Sequence, residues 1–174
     1  LDENIVIRSP KDPIVEADYH IPLLSLPMIN DTKLETIPSA VPYLRSDQDL
    51  AQIWQNKFDE QRPKVGLVWS GNSKRQDDWM RSCPAEFLHT ILDVEGCHFV
   101  SLQKEGVPQS LAPLHDLSSE LTDFSQTAAA IMALDLVITV DTAVAHLAGA
   151  LGKPVWVMLG YTADWRYLLE REDS

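Results

Sequence analysis

From Lys64 onward the chain alternates short, unbroken apolar runs with segments whose apolar residues recur every three or four positions. Val65 to Trp69 (VGLVW) reads as a strand. After a polar loop comes PAEFLHTILDVEG, in which Phe87, Leu88, Ile91 and Leu92 form a helical stripe closed by Gly96. The alternation continues with a strand at His98 to Leu102, a helix at Ser125 to Asp135, a strand at Leu136 to Val140, a helix at Thr142 to Leu151 and a strand at Val155 to Leu159. A further short strand is expected near Leu121. Strands that are apolar throughout are covered on both faces, so the pattern predicts an α/β domain, a Rossmann-like parallel sheet with helices on both faces.

The preceding residues follow a different rule. Pro10, Pro13, Pro22, Pro27, Pro38 and Pro42 interrupt short apolar pieces and exclude long helices. Residues 1–45 are therefore expected to be an arm, or a remnant of a preceding domain and its linker. Residues 46–63 are expected to form a connector helix that begins at Ser46, carries Asp49 in its first turn, aligns Leu50, Ile53, Trp54 and Phe58 on one face and ends before Pro63. The sheet domain is expected to span 64–174.

Length and composition narrow the class. With 174 residues, 45% of them apolar, the chain can bury one substantial core. No apolar run approaches the roughly 20 residues of a membrane span, and the first residues carry no basic-then-apolar signal, so a cytoplasmic protein is expected. Cys83 and Cys97 flank the first sheet-domain helix, roughly 20 Å apart at 1.5 Å per residue, and are read as free thiols. The net charge of −12 argues against a nucleic-acid partner, which needs a basic face. Any anion must be held by local cations.

In open parallel sheets, ligands bind beyond the carboxyl ends of the strands, which selects three loops. After the first strand come Ser70, Gly71 and Asn72, then Lys74, Arg75 and Arg81; Arg81 precedes a helix start at Ser82–Pro84. This loop is read either as a solvated segment whose cations pair with Asp77 and Asp78, or as a cationic anion site. After the second strand come Gln103 and Lys104, a surface turn or a donor pair. After the Leu136–Val140 strand, Asp141 and Thr142 precede a helix of very small residues. There the first amides of Thr142, Ala143 and Val144 could meet an anion and His146 could add a donor one turn in; the simpler alternative is a packed or solvated histidine. The Walker A, G-x-G-x-x-G and G-x-S-x-G spacings are absent, as is any metal-ligand spacing among the histidines and cysteines.

The segments VGLVWSGN, RSCP, FVSLQK, LTDF, ALDLVITVDTAVAHLAGALGKPVWVML and DWRYLLEREDS together resemble the C-terminal, donor-binding half of the heptosyltransferase family, glycosyltransferase family 9. The version fused behind tetratricopeptide repeats in bacterial proteins is especially similar. The resemblance covers nearly all of Lys64 to Ser174, and ADYHIPLLSLP and IPSAVPYL resemble the end of a preceding half and its linker.

The resemblance implies a GT-B architecture and a nucleotide-diphosphate sugar as substrate, with no metal or other cofactor required. It implies donor contacts at Ser70, Gly71, Asn72, Arg81, Gln103, Lys104, Asp141, Thr142, Ala143 and His146, and Lys74 is added to them from its place in the cationic loop. The catalytic base is then supplied by the N-terminal half, so 174 residues alone are expected to bind a donor weakly without turning it over. REDS, at the end, stands where relatives continue into another strand. Two other classes stay open: a non-catalytic nucleotide-binding or protein-interaction module on the same fold, and a nucleotide-sugar isomerase, for which Glu105, Asp141 and Asp164 are the candidate acid and base groups. Trp165 and Tyr167 are read as stacking on a base or as part of a packed helix.

Overall fold

The computed structural model describes residues 6, 8–58, 61–112 and 114–167. REDS and the end of DWRYLLEREDS lie outside the described residues. The chain divides into two compact units, Leu1–Ser39 and Ala40–Ser174. In the first, a 3-10 turn at Leu23–Ser25 runs into the single-turn helix α1 (Leu26–Ile29), and a second 3-10 turn occupies Leu34–Thr36. None of its described residues is buried; Ile14, Tyr19, Leu24 and Met28 are among the exposed apolar side chains.

The second unit begins at Ala40, upstream of the boundary expected at residue 45. The amides of Tyr43 and Leu44 both donate to the Ala150 carbonyl at 3.0 Å, which ties this segment to the end of a sheet-domain helix. The connector helix α2 (Gln48–Gln55) is capped by Asp47, whose carboxylate accepts from the Leu50 amide at 3.0 Å, so the cap lies one residue later than Ser46. Trp54 and Phe58 are buried in the core, and the Trp54 indole N–H donates to Gln126 Oε1 at 3.0 Å. The helix is thus a layer of the α/β unit.

Five parallel strands form the sheet: β1 (Lys64–Val68), β2 (His98–Ser101), β3 (His115–Asp116), β4 (Leu136–Val140) and β5 (Val155–Met158), in the order β3-β2-β1-β4-β5. The short strand expected near Leu121 lies instead at His115–Asp116, paired with Val100 and Ser101. Between β1 and β2 the expected long helix is a 3-10 turn, Ala85–Leu88, followed by a single α turn, α3 (His89–Leu92). Gly96 then reverses the chain at φ +86°, where a side chain would be strained. Helix α4 (Phe124–Met132) is capped by Asp123, which accepts from the Gln126 amide at 2.9 Å, and α5 (Ala143–Ala150) ends at Gly152 with φ +71°. No helix among the described residues is long and apolar enough to cross a membrane.

The strands sort their side chains with period two. Val68, Val100, Leu102 and Val137 join Trp54, Ile131, Ala148 and Leu151 on one face; Val65, Leu67, Trp69 and Ile138 join Leu88, Leu111 and Leu114 on the other. Both faces of the sheet centre are covered, which is why β1, β2 and β4 read as continuous apolar runs, whereas β5 at the end of the strand order leaves Trp156 exposed. Cys83 and Cys97 are free and flank the second cluster.

Gly66, in the middle of β1, is needed for the close approach of this layer. A Cβ there would lie 2.5 Å from Leu134 Cδ1 and 2.9 Å from Leu102 Cδ1, both on buried side chains. Gly66→Ala is expected to cost about 1–3 kcal/mol of unfolding free energy by overpacking, read by urea denaturation. Asp47→Ala is expected to cost about 1 kcal/mol through loss of the α2 cap in the same measurement.

Candidate functional site

The chain leaves β1 to build β2 and β3 on one side and returns to place β4 on the other, so the strand order reverses between β1 and β4. Beyond the carboxyl ends of these strands lies a cleft of about 690 Å³, within the size range of small-molecule sites. One wall is the loop after β1, with Ser70, Gly71, Asn72, Lys74 and Arg81. A second is the loop after β2, with Gln103, Lys104 and Glu105. The start of α5, with Thr142, Ala143 and Val144, forms the third.

These walls carry donors and few competing acceptors. Lys74 and Lys104 are exposed, and neither ammonium has a carboxylate within 4.0 Å among the described residues. Asn72 Oδ1 accepts from the Lys74 amide at 3.0 Å, a local turn that sets the direction of the loop. Thr142 has extended backbone angles and contributes no side-chain cap, so the first amides of α5 are left for an outside acceptor. Its hydroxyl lies 3.1 Å from that of buried Thr139, which also donates to the Val140 carbonyl at 2.8 Å.

Gln103 lines the cleft in a different capacity from the free donor expected of it. Its Oε1 accepts from the Trp69 and Ser70 amides at 3.0 and 3.1 Å, and its Nε2 donates to Ser70 Oγ at 2.7 Å. With 3% of its surface exposed, the side chain splices the end of β2 to the end of β1 and supplies the partners those amides lose where the ladder stops.

His146 and Asp141 do not line this cleft. Asp141 belongs to a neighbouring pocket of about 270 Å³ that also contains Arg75, Asp77, Asp164 and Arg166 and shares Arg81 with the larger cleft. Asp141 Oδ1 accepts from the Tyr167 hydroxyl at 2.9 Å and lies 3.5 Å from His146 Nε2. Burial and this bond to a carboxylate push the Tyr167 hydroxyl up to about 12. Tyr167 is thereby engaged, whereas Trp165 stays exposed. His146 points away from the core, because Ala145 and Ala148 take the buried side of α5.

The second pocket is rich in local ion pairs. Arg75 grips Asp77 through two bonds of 2.9 and 2.7 Å, which hold that carboxyl down at about 2. Asp164 is lowered by the Arg166 amide and guanidinium, so it stays ionised. Glu105 and the pair Asp141 and Asp164 line different cavities, so the three acids considered for isomerase chemistry do not converge. Burial raises the Cys83 thiol, which keeps it protonated. No group of three potential metal ligands occurs among the described residues.

One wall escaped the sequence reading: Leu121, Thr122, Asp123, Phe124 and Thr127, at the start of α4. Its signal was present in Asp123 followed three residues later by Gln126, the spacing of a helix start.

Residues 34–167 match the family model described as glycosyltransferase family 9 (heptosyltransferase). The chain is similar to the protein FlbA of Caulobacter vibrioides, 27% identical over an alignment 155 residues long that covers 82% of this chain and 26% of that protein. The fold is similar to the structure of E. coli ADP-heptose LPS heptosyltransferase II, with a TM-score of 0.53 and 21% identity, covering 74% of this chain and 43% of that one. The chain thus spans less than half the length of either relative. With the family model covering most of its length, and the parallel sheet matching a heptosyltransferase of GT-B type, the chain belongs to glycosyltransferase family 9.

Proposed function

We propose that this domain binds the nucleotide-diphosphate sugar donor of a glycosyltransferase of the heptosyltransferase type. The observation that carries the reading is the convergence of Lys74, Arg81, Lys104 and the first amides of α5 on one cleft, in a chain of net charge −12. A site so rich in donors, on so acidic a surface, is suited to a small, highly charged anion. The diphosphate lies against the α5 amides and the lysines. The apolar rim of Leu102, Leu121 and Phe124 receives the nucleoside.

Arg81 borders both cavities, so the sugar extends past it toward Asp141 and His146. In this reading the guanidinium, ammonium and helix amides stabilise the departing diphosphate, and no metal ion is required. The base that activates the acceptor comes from chain beyond these 174 residues, and transfer belongs to the larger protein, in the cytoplasm. Tetratricopeptide repeats in that protein are part of the same proposal.

Titration with ADP, GDP and UDP by calorimetry tests the reading. Binding of at least one is expected, weakening as salt is raised. Lys74→Ala and Lys104→Ala should each reduce affinity about three- to tenfold through loss of a charge-assisted contact. His146→Ala, outside the larger cleft, should change nucleoside diphosphate affinity by less than about twofold, since it meets only the sugar end. Binding that ignores both lysine substitutions would sink the assignment of the anion to this cleft.

A further inference from the structure

Asp78 is the acid of the β1–α3 loop that points inward. Its side chain is 13% exposed, against 51% for Asp77, and it belongs to a connected set of polar groups at the cleft wall. The Gly71 amide donates to Ser82 Oγ at 3.1 Å, and the Ser82 hydroxyl donates to Asp78 Oδ2 at 2.8 Å. Backbone bonds from the Arg81 and Ser82 amides to the Asp78 carbonyl, at 3.0 and 2.9 Å, fold the loop so that all three side chains lie together.

The other carboxylate oxygen is incompletely used. Asp78 Oδ1 is buried without a hydrogen-bond partner, 3.7 Å from Arg81 Nη2, and Arg81 Nε is likewise buried and without a partner. At that separation the pair attracts by charge but is not hydrogen-bonded. The space around it is tight: a Cβ on Gly71 would lie 2.5 Å from Asp78 Oδ1 and 2.7 Å from Arg81 Nη2. A guanidinium has five N–H donors in a rigid fork, so one edge can face a carboxylate while the other faces a ligand.

We propose that Asp78 is a positioning residue: its carboxylate holds the Arg81 guanidinium at the boundary of the two cavities, oriented to receive an oxyanion of the bound ligand. Gly71 keeps the space open, and Ser82 fixes the carboxylate from behind. The inference rests on the reading of the cleft as a diphosphate site, and it assigns to Asp78 a role that opposes its own charge. By Coulomb's law alone, removing a negative charge beside an anion site strengthens binding. If Asp78 orients Arg81, removing the charge weakens it.

The experiment compares the wild type with Asp78→Asn, which retains an oxygen to accept from Ser82, in the presence and absence of Arg81→Ala. Titration uses the tightest of ADP, GDP and UDP, and inorganic pyrophosphate as a second probe. Asp78→Asn is expected to weaken binding about tenfold in the wild-type background and to have no effect, or to strengthen binding, once Arg81 is alanine. A side chain that merely kept the loop folded would weaken binding in both backgrounds. Unchanged or tighter binding of Asp78→Asn with Arg81 present, or equal weakening without it, overturns the proposal.

A ligand-free measurement separates this inference from the reading of the cleft. The ¹⁵Nε–H order parameter of Arg81 is expected to fall from about 0.8 to below about 0.6 in Asp78→Asn while the backbone amide spectrum elsewhere is preserved. Equal order in the two proteins overturns the positioning role whether or not any nucleotide binds. Failure of the wild type to bind every probe removes the cleft assignment and leaves the order parameter to decide the role of Asp78.

Discussion

The parallel pairing of β1 with β4 is the constraint on which the rest depends. Val65 lies opposite Leu136 and Val68 opposite Thr139, so both strands end at one level and deliver their following loops to the same place. The first loop brings Gly71, Lys74 and Arg81; the second brings Thr142 and the amino end of α5. With β2 and β3 built outward on one side and β5 on the other, the chain cannot bridge this point, and a crevice remains.

Holding that level requires solutions where regular hydrogen bonding stops. The Gln103 amide serves the last amides of β1, and the Thr139 and Thr142 hydroxyls meet beneath the start of α5. These polar contacts lie behind the cleft, while Lys74 and Lys104 on its walls are exposed.

The sheet also explains why two cavities meet at Arg81. Arg81 faces both, while Asp141 collects Tyr167 and His146 on the far side. The histidine is thus grouped with an acid and a phenol of the same chain, and its environment is set by contacts between β4, α5 and the segment around Tyr167. Asp141 and Thr142 are adjacent along the chain, yet the fold sends Thr142 to one cavity and Asp141 to the other.

Much of the fold was legible because local chemistry and burial agree. The apolar runs that became β1, β2 and β4 are covered on both faces, β5 at the end of the strand order leaves Trp156 exposed, and Gly96 and Gly152 occupy turns that only a residue tolerant of positive φ fits easily. The candidate loops were legible for the same reason, since a parallel sheet places them at one end. What periodicity could not reveal is where a side chain finds its partner across space. The engagement of Gln103, the joining of α2 to the core through Trp54 and Gln126, the wall led by Asp123 and the inward turn of Asp78 all depend on groups brought together from distant or folded-back segments. Hydrogen bonds and excluded volume act at a few ångströms, so only the assembled tertiary structure decided which polar residues support the cleft and which remain free to meet a ligand.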